Sequence, residues 1–301
     1  MLKVRQTSFG IASLLVSNIG WGVLPLYWHA MSSMDSMNVL AYRLVTTLIT
    51  LVAFLLITRR LGNCWQSYAE LWRDRRAFLL ELGATACITI NWLLYIYLVV
   101  NGQALQTSIA YYLMPLLNVL FAALLFHERL GRGGWLALVC AATGLGMFIA
   151  QSSSTPWLAV LLAVSFCLYG LLKRYVPLDA VQATTFETTV VVLFAMLWLL
   201  FQPRLGLAAH MNVGLWALII CAGLATGIPL VTFAYGVQHA QYLTVSFIQY
   251  LNPTLQFAIA EFVFHEPMRP MGYAAFVVIW LALIIYSVDQ LKRFIERLKT
   301  K

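Results

Sequence analysis

Apolar residues fill ten stretches of this chain, each 16 to 23 residues long, and polar or charged residues separate them. An α-helix rises 1.5 Å per residue, so about 20 apolar residues cross a hydrocarbon layer of about 30 Å. The pattern therefore predicts an all-α membrane protein with ten transmembrane helices. The stretches are Phe9–Trp28, Val39–Ile57, Ala77–Val99, Ala104–Phe126, Trp135–Ala150, Trp157–Leu172, Ala180–Leu200, Val213–Tyr235, Tyr242–Phe264 and Met271–Val288. The fifth and sixth, at 16 residues each, could instead form one helical hairpin.

The same phrase occurs twice in the chain. YLMPLLNVLFAALLFHE, from Tyr112 to Glu128, and YLNPTLQFAIAEFVFHE, from Tyr250 to Glu266, share eight of 17 positions at an offset of 138. Weaker matches extend the repeat in both directions, and the earliest helices match only faintly, at an offset of 148. Since each unit has five crossings, an odd number, the second copy must be inverted in the membrane. We predict a first repeat over residues 1–150, an inverted second repeat over 151–290 and a basic cytoplasmic tail over 291–301.

Composition and charge agree with a membrane protein. The chain is 62% hydrophobic and 10% charged, whereas an ordinary soluble protein is about a quarter charged. With the N-terminus in the cytoplasm, sixteen of the 19 Lys and Arg residues fall on the inner side, and only Arg204 and Arg269 fall outside. This asymmetry is the positive-inside pattern, which places both termini in the cytoplasm and explains the net charge of +8 without nucleic acid.

The cysteines and the C-terminal tail add no separate chemistry. The five cysteines have no paired spacing that favours zinc or a redox dithiol, and Cys64 falls in a predicted cytoplasmic loop. The tail DQLKRFIERLKTK can form an amphipathic helix against anionic lipid, or it can be a frayed, solvated end. We predict no cofactor and no bound metal.

Inverted repeats are the usual plan of secondary transporters, whose substrate site lies near the membrane midplane between the copies. Pro115 and Pro253 match in the two copies, and Pro25 and Pro229 lie in two further helices. Each proline removes an intrahelical hydrogen bond, so we expect four helix breaks along the pathway. Gly223 and Gly227 form a GxxxG motif, which indicates close helix packing rather than chemistry.

Six phrases together resemble a known family. They are SNIGWGVLPLYW, NWLLYIYLVVN, TSIAYYLMPLLNVLFAALLFHERL, SFCLYGLLKR, GIPLVTFAYG and TVSFIQYLNPTLQFAIAEFVFHE. The chain resembles the RarD family, predicted permeases in the EamA branch of the drug/metabolite transporter superfamily. The resemblance covers nearly the whole chain and implies a ten-helix protein of the bacterial inner membrane. It also implies export or exchange of small metabolites or drugs, in a lineage associated with chloramphenicol sensitivity.

This chain departs from the family pattern at three places. The family tends to have Glu-Ala-Ser-Leu-Gly-Tyr where this chain has residues 106–111, QTSIAY. Met114-Pro115 replaces Asn-Pro, and Tyr42-Arg43 replaces His-Arg. If the missing carboxylate and amide bind substrate in relatives, the substrate or the coupling of this protein differs.

Charged side chains within the apolar stretches are expensive to bury and are usually paired or functional. Arg43 and Glu187 match between the copies at an offset of 144, but they enter the membrane from opposite faces. They would lie roughly 10 Å or more apart along the membrane normal, which argues against a salt bridge. Each has two interpretations. Arg43 either snorkels outward or forms the outer anchor of a transport path, and Glu187 either pairs with Lys173 or Arg174 or forms the inner anchor.

Two further acids lie in these stretches. Glu81 is close enough to the inner surface that we expect it to be solvated. Glu261, one helical turn before His265, could exchange protons or reach the outer interface. The repeated pairs His127-Glu128 and His265-Glu266 lack the spacing of a metalloprotease motif, so we expect the acids to stabilise the start of the following helix.

Amides, phenols and aromatic rings near the prolines make the best candidate substrate pathway, together with Arg43 and Glu187. Amides and phenols supply donors and acceptors, and rings supply walls for amphipathic or cationic ligands. Each residue alone could equally be a packing or belt residue. The candidates are Trp21, Arg43, Asn91, Trp92, Tyr95, Tyr111, Tyr112, Asn118, Glu187, Phe233, Gln249, Tyr250, Asn252 and Gln256.

The sequence therefore predicts a secondary transporter (permease) that moves small metabolites or drugs across the bacterial inner membrane by alternating access, in the direction of efflux. Its partners are a small-molecule substrate and the lipid bilayer, and nothing in the sequence indicates an oligomeric state. The alternative is a membrane-embedded enzyme acting on lipid or prenyl substrates, which would need clustered acids, whereas the 11 acids here are scattered. A sensor or assembly factor is a third possibility, against which the short loops count.

Overall fold

The structure is a computed structural model that describes residues 2–126, 131–151, 157–173, 175–208, 210–239, 245 and 248–299. These residues form helices and connecting turns, and none of them lies in a β-strand, which confirms the all-α class. The helices are α1 (Leu2–His29), α2 (Ser36–Ile57), α3 (Leu61–Arg73), α4 (Arg75–Val100), α5 (Ala104–Phe126), α6 (Arg132–Gln151), α7 (Trp157–Lys173), α8 (Ala180–Leu200), α9 (Val213–His239), α10 (Leu251–Ala258) and α11 (Pro270–Lys299). A π-helical turn, Ile259–Val263, extends α10.

Seven of the described helices are long and apolar enough to cross a membrane. These spans confirm a multi-pass membrane protein. They are Ser8–His29, Ser36–Ile57, Arg75–Val100, Arg132–Ala150, Ala180–Leu200, Val213–Gly236 and Pro270–Asp289. Two of the other predicted crossings fall on α5 and on the shorter apolar helix α7. The last, Tyr242–Phe264, falls partly on α10 with its π turn, and its residues 242–244, 246 and 247 lie outside the described residues.

Helix α3 lies where the sequence predicted only a loop, so the prediction that Cys64 lies in a loop was wrong. The helix buries Cys64 and Leu71, while Trp65 and Trp72 are 77% and 72% exposed. The tryptophans are seven residues apart and share one face, an arrangement typical of a helix lying in the membrane interface. Burial raises the pKa of the Cys64 thiol above its ordinary value. At 13 residues α3 is too short to cross a membrane, which is why a search for long apolar stretches passes over it.

The most extensive helix contacts join the first half of the chain to the second. Helix α1 packs against α9 and α10, and α4 packs against α7. Helix α5 packs against α7 and α10, α2 against α8 and α9, and α6 against α11. One large apolar core runs through these contacts and includes the fully buried side chains of Trp28, Ile96, Ile109 and Leu162. The fold therefore depends on its two halves packing against each other.

Small residues bring these helices together, as predicted for the GxxxG motif. Gly223 of α9 lies directly against the backbone oxygen of Thr46 in α2, and Gly227 lies against Thr50. On α1, a Cβ added at Gly20 would come within 2.9 Å of the Pro229 ring. Because these positions carry no side chain, the backbones approach closely and gain dispersion contacts that lipid cannot replace.

The prolines were predicted to break their helices, and they do not. Helices α1, α5 and α9 continue through Pro25, Pro115 and Pro229. Pro253 is the third residue of α10, where the missing N–H would have no intrahelical acceptor. The loss of a single hydrogen bond does not end a helix that its neighbours pack on both sides, so each proline disturbs one bond only.

The Gly223 contact yields a stability prediction. Gly223→Ala should lower the free energy of unfolding by about 2 kcal/mol, because the added methyl group overlaps the Thr46 carbonyl and pushes α2 from α9. Thermal unfolding of the purified protein in detergent measures this effect. Gly146→Ala is the matched control, since nothing lies within 4 Å of the Cβ it would add. Equal melting temperatures for the two variants would contradict the packing described here.

Candidate functional site

Polar contacts between the halves cluster at two opposite ends of the bundle. One end, here the arginine end, contains Arg43 and the cross-half hydrogen bonds from Trp198 to Asn38 (2.9 Å) and from Tyr42 to the Leu205 carbonyl (2.9 Å). The other, the glutamate end, contains Glu81 and Glu187. There the Tyr68 hydroxyl donates to the Gln182 carbonyl at 2.7 Å.

Arg43 lies inside the arginine end, on the face of α2 that packs into the bundle. Its side chain is 7% exposed, and its Nε–H donates to Thr226 Oγ1 of α9 at 3.2 Å. The guanidinium carbon lies 5.0 Å from the centre of the Trp92 ring and 5.5 Å from that of Trp28. The predicted outward snorkelling is therefore wrong, because the head group is buried between aromatic rings rather than solvated.

Two predicted pathway tyrosines stand beside Arg43. Tyr95 and Tyr111 are both near the guanidinium, and their rings contact each other edge-on with centroids 5.9 Å apart. The structure therefore brings Arg43, Trp92, Tyr95 and Tyr111 into one aromatic cluster, as expected of pathway residues. The rings face a cation of the protein itself, which changes the kind of ligand they suit.

A buried charge triad lies at the glutamate end. The Lys173 ammonium lies 2.6 Å from Glu81 Oε2 and 3.2 Å from Glu187 Oε1, and both carboxylates are fully buried. The Tyr169 ring lies 5.7 Å from the same ammonium. The expectation that Glu81 is solvated was wrong, because α7 covers it and supplies the counter-charge. Glu187 has the lysine partner that one interpretation expected.

Arg43 and Glu187 belong to different clusters, as expected for residues that enter the membrane from opposite faces. The triad links α4 of the first half to α7 and α8 of the second, whereas Arg43 links α2 to α9. Each end of the bundle thus has its own buried charge.

A third set of polar contacts, here called the seam, joins α5 to α10. Thr107 donates to Gln256 Oε1 at 2.7 Å, and Gln256 Nε2 donates to Asn252 Oδ1 at 2.7 Å. The Ser108 hydroxyl donates to the Pro253 carbonyl at 2.9 Å. This seam contains two of the predicted pathway amides and one of the matched prolines.

Other predicted pathway residues lie around the seam. Tyr112 shares a hydrogen bond of 2.7 Å with Thr254. The amide of Asn91 donates to the Leu162 carbonyl at 2.8 Å and so joins α4 to α7. The Trp21 and Phe233 rings pack at 5.1 Å between α1 and α9.

Three predicted residues stand apart from these contacts. Asn118 and Gln249 are exposed, and Tyr250 is half-buried at the edge of the core. Glu261, within the π turn, accepts a hydrogen bond from the Tyr273 hydroxyl at the surface of α11. The partner of Glu261 supports its position near the interface.

Glu266 has a different role from the one predicted. Its carboxylate accepts the backbone N–H groups of Ala104, at 2.5 Å, and Leu105, at 2.8 Å. It therefore caps α5, in the other half of the chain, and not the helix that follows it. Burial raises the pKa of this carboxyl, and the two N–H donors oppose the rise. The matching pair His127-Glu128 lies outside the described residues.

Sequence reasoning missed Thr226 and Thr107 as interaction partners, and it expected Lys173 beside Glu187 but not beside Glu81. Threonine is common in membrane helices, and nothing in the spacing marks these two. Lys173 was assigned to the inner loop by the positive-inside count, although a lysine one residue beyond an apolar stretch can reach back into the bundle.

Removal of the lysine tests the triad. Lys173→Met should lower the free energy of unfolding by about 3 kcal/mol, because Glu81 and Glu187 would remain buried without a counter-charge. Thermal unfolding in detergent measures it, and adding Glu81→Gln to the same variant should restore part of the loss. Lys292→Met, at an exposed position on α11, is the control and should be neutral. A wild-type melting temperature for Lys173→Met would show that the triad does not hold the two halves together.

The chain is similar to known proteins over most of its length. Residues 8–150 match the EamA-like transporter family. The chain is 34% identical to the uncharacterized transporter YojE of Bacillus subtilis, over 97% of each chain. It is also 34% identical to the protein RarD of Streptomyces exfoliatus, over 90% of this chain and 86% of that one. A crystal structure with 16% identity shares the fold, with a TM-score of 0.60 over 93% of this chain and 97% of the other.

These matches confirm the family resemblance seen in the repeated phrases, and they support a transport role over an enzymatic one. The chain belongs to the RarD family of EamA-type transporters, within the drug/metabolite transporter superfamily.

Proposed function

We propose that this membrane transporter is a secondary transporter that works by alternating access and exports small metabolites or drugs. In this proposal ten crossings form two inverted five-helix repeats in the bacterial inner membrane, with both termini in the cytoplasm. The arginine end then faces the periplasm and the glutamate end faces the cytoplasm. The candidate pathway runs between them along the α5–α10 seam.

The pattern of helix packing supports two equivalent halves. Let α1, α2, α4, α5 and α6 correspond to α7, α8, α9, α10 and α11. Exchanging the halves turns the α1–α9 contact into α4–α7, and the α1–α10 contact into α5–α7, and all four are extensive. The α2–α8, α5–α10 and α6–α11 contacts map onto themselves. The α2–α9 contact maps onto α4–α8, which is present but much less extensive. Apart from that pair, the pattern is the one expected of a pseudo-two-fold axis through the seam. It is the observation that carries the proposal.

Hydrogen bonds and ion pairs fasten the halves at both ends, and alternating access requires one end to release while the other holds. At the arginine end these contacts are the Glu266 cap on α5 and the bond between Trp198 and Asn38. At the glutamate end they are the ion pair between Lys173 and Glu81 and the bond between Tyr68 and Gln182. Substrate binding need only stabilise the two open states comparably, and any coupling ion adds direction by differential affinity.

Counterflow tests the proposal. Purified protein in liposomes preloaded with an unlabelled compound should transiently accumulate the same compound in labelled form, for at least one member of a panel of metabolites, amino acids and amphipathic drugs. Gln256→Leu should reduce the initial rate, because it removes the acceptor of Thr107 and the donor to Asn252 in the seam. Thr143→Val, on the exposed face of α6, is the matched control.

Two results would contradict the proposal. One is the absence of exchange across the whole panel by protein that remains folded in the liposomes. The other is chemical conversion of a compound without its movement across the membrane, which would favour the membrane enzyme.

A further inference from the structure

Arg43 is a buried cation with no carboxylate partner among the described residues. No acidic oxygen in that part of the chain lies within 4.0 Å of its guanidinium. Its one hydrogen bond there, from Nε to Thr226, goes to a neutral hydroxyl. Charges inside a membrane protein are almost always paired, so a buried arginine with no counter-charge marks a functional position.

Six of the acids that the structure describes are engaged elsewhere. Glu81 and Glu187 share Lys173, and Glu266 accepts two backbone N–H groups of α5. Asp35 and Asp74 cap the N-termini of α2 and α4. Asp179 does the same for α8. None of these six carboxylates is free to balance the charge on Arg43.

The contacts of the guanidinium leave one edge without a protein acceptor among the described residues. The ring centres of Trp28 and Trp92 lie 5.5 and 5.0 Å from the guanidinium carbon. Thr226 Oγ1 accepts the Nε–H. The two terminal nitrogens have no acceptor among the described residues. A carboxylate can accept two parallel N–H groups from that edge, which is the geometry that arginine favours.

Three further polar groups near Arg43 are buried and lack a hydrogen-bond partner in the described structure. They are Trp28 Nε1, the Tyr95 hydroxyl and the Thr47 hydroxyl, which lies one turn along α2 from Arg43. A buried donor without an acceptor is costly, so each unpaired group in a packed core needs an explanation such as a bound ligand. A bound anion would accept from such donors and neutralise the arginine.

We propose that Arg43 binds the single carboxylate of the transported substrate, and that the substrates are small monocarboxylates with a flat, apolar body. A single arginine balances one negative charge, so a dianion such as a phosphate monoester would leave a charge uncompensated. The rings of Trp92, Tyr95 and Tyr111 provide the apolar surroundings. The inference rests on the proposed transport function. The sequence suggested amphipathic or cationic ligands for these rings, whereas the buried arginine favours anions.

Binding to the wild-type protein tests the charge class directly. Protein in lipid nanodiscs is titrated with benzoate, benzamide, benzylamine and phenyl phosphate, which share a ring and differ in charge. Benzoate should bind at least about tenfold more tightly than the other three, measured by thermal shift and by tryptophan fluorescence. Benzoate binding no tighter than benzamide would overturn the inference, and so would tighter binding of benzylamine or phenyl phosphate.

Variants then locate the site. Arg43→Gln should abolish the preference for benzoate over benzamide, and Arg43→Lys should retain part of it, because lysine keeps the charge but loses the planar edge. Arg132→Gln, at the exposed start of α6, is the matched control and should keep the full preference. If Arg43→Gln fails to fold, Thr226→Val, which frees the guanidinium without removing it, should weaken benzoate binding selectively. An unchanged preference for benzoate over benzamide in Arg43→Gln, or in Thr226→Val, would overturn the assignment to Arg43.

Counterflow with the same compounds separates the inference from the proposed function. Exchange of benzamide but not benzoate would leave transport standing and overturn the carboxylate site. Selective binding of benzoate, lost in Arg43→Gln and accompanied by no exchange of any compound, would support the site and contradict transport.

Discussion

A polar group inside a membrane-embedded bundle has no water to bind, so it must find its partners within the protein or its ligand. This constraint organises the structure described above. The seam between α5 and α10 satisfies threonine, serine and two amides by joining the two halves. At the glutamate end, two glutamates can be buried because Lys173 lies between them and supplies the counter-charge. Arg43 stands out because the rule is not met there by the described protein alone.

Close packing and end-capping complete the scaffold around these polar contacts. Lipid tails are as apolar as leucine, so helices associate through dispersion and hydrogen bonds rather than through the hydrophobic effect. Gly223 gives α9 direct contact with the α2 backbone next to Arg43. Glu266, from the loop before α11, caps α5 across the two halves. Each device joins elements from different halves of the chain.

Much of the fold could be predicted from the sequence, because long apolar stretches have few alternatives in a membrane. The bounds of α5 and α8 match the apolar stretches at both ends. Helix α3 was missed since an interfacial helix is short and only half apolar. The prolines were expected to break helices, but neighbouring helices keep the backbone helical through three of them. Local sequence shows where a bond is lost and does not show what packs beside it.

The candidate site was predictable by residue type but not by partner. Arg43, Trp92, Tyr95 and Tyr111 were all expected in the pathway, and they meet. The threonine that holds Arg43 lies 183 positions away, and Glu81 lies 92 positions from its lysine. Such pairings follow from helix order and rotation, which the periodicity of one stretch does not specify. The repeated His-Glu pair misled for the same reason, since the cap of Glu266 acts on a distant helix.

The central claim is that the two halves are copies with opposite orientation, and matched positions in the two copies test it most directly. Arg132 and Pro270 begin α6 and α11, and they are 138 positions apart. Each is replaced by cysteine in a chain without its five native cysteines, and intact cells are treated with a membrane-impermeant maleimide. The account predicts that position 270 reacts in intact cells and that position 132 reacts only after permeabilisation. Reaction of both positions from the same side would contradict it.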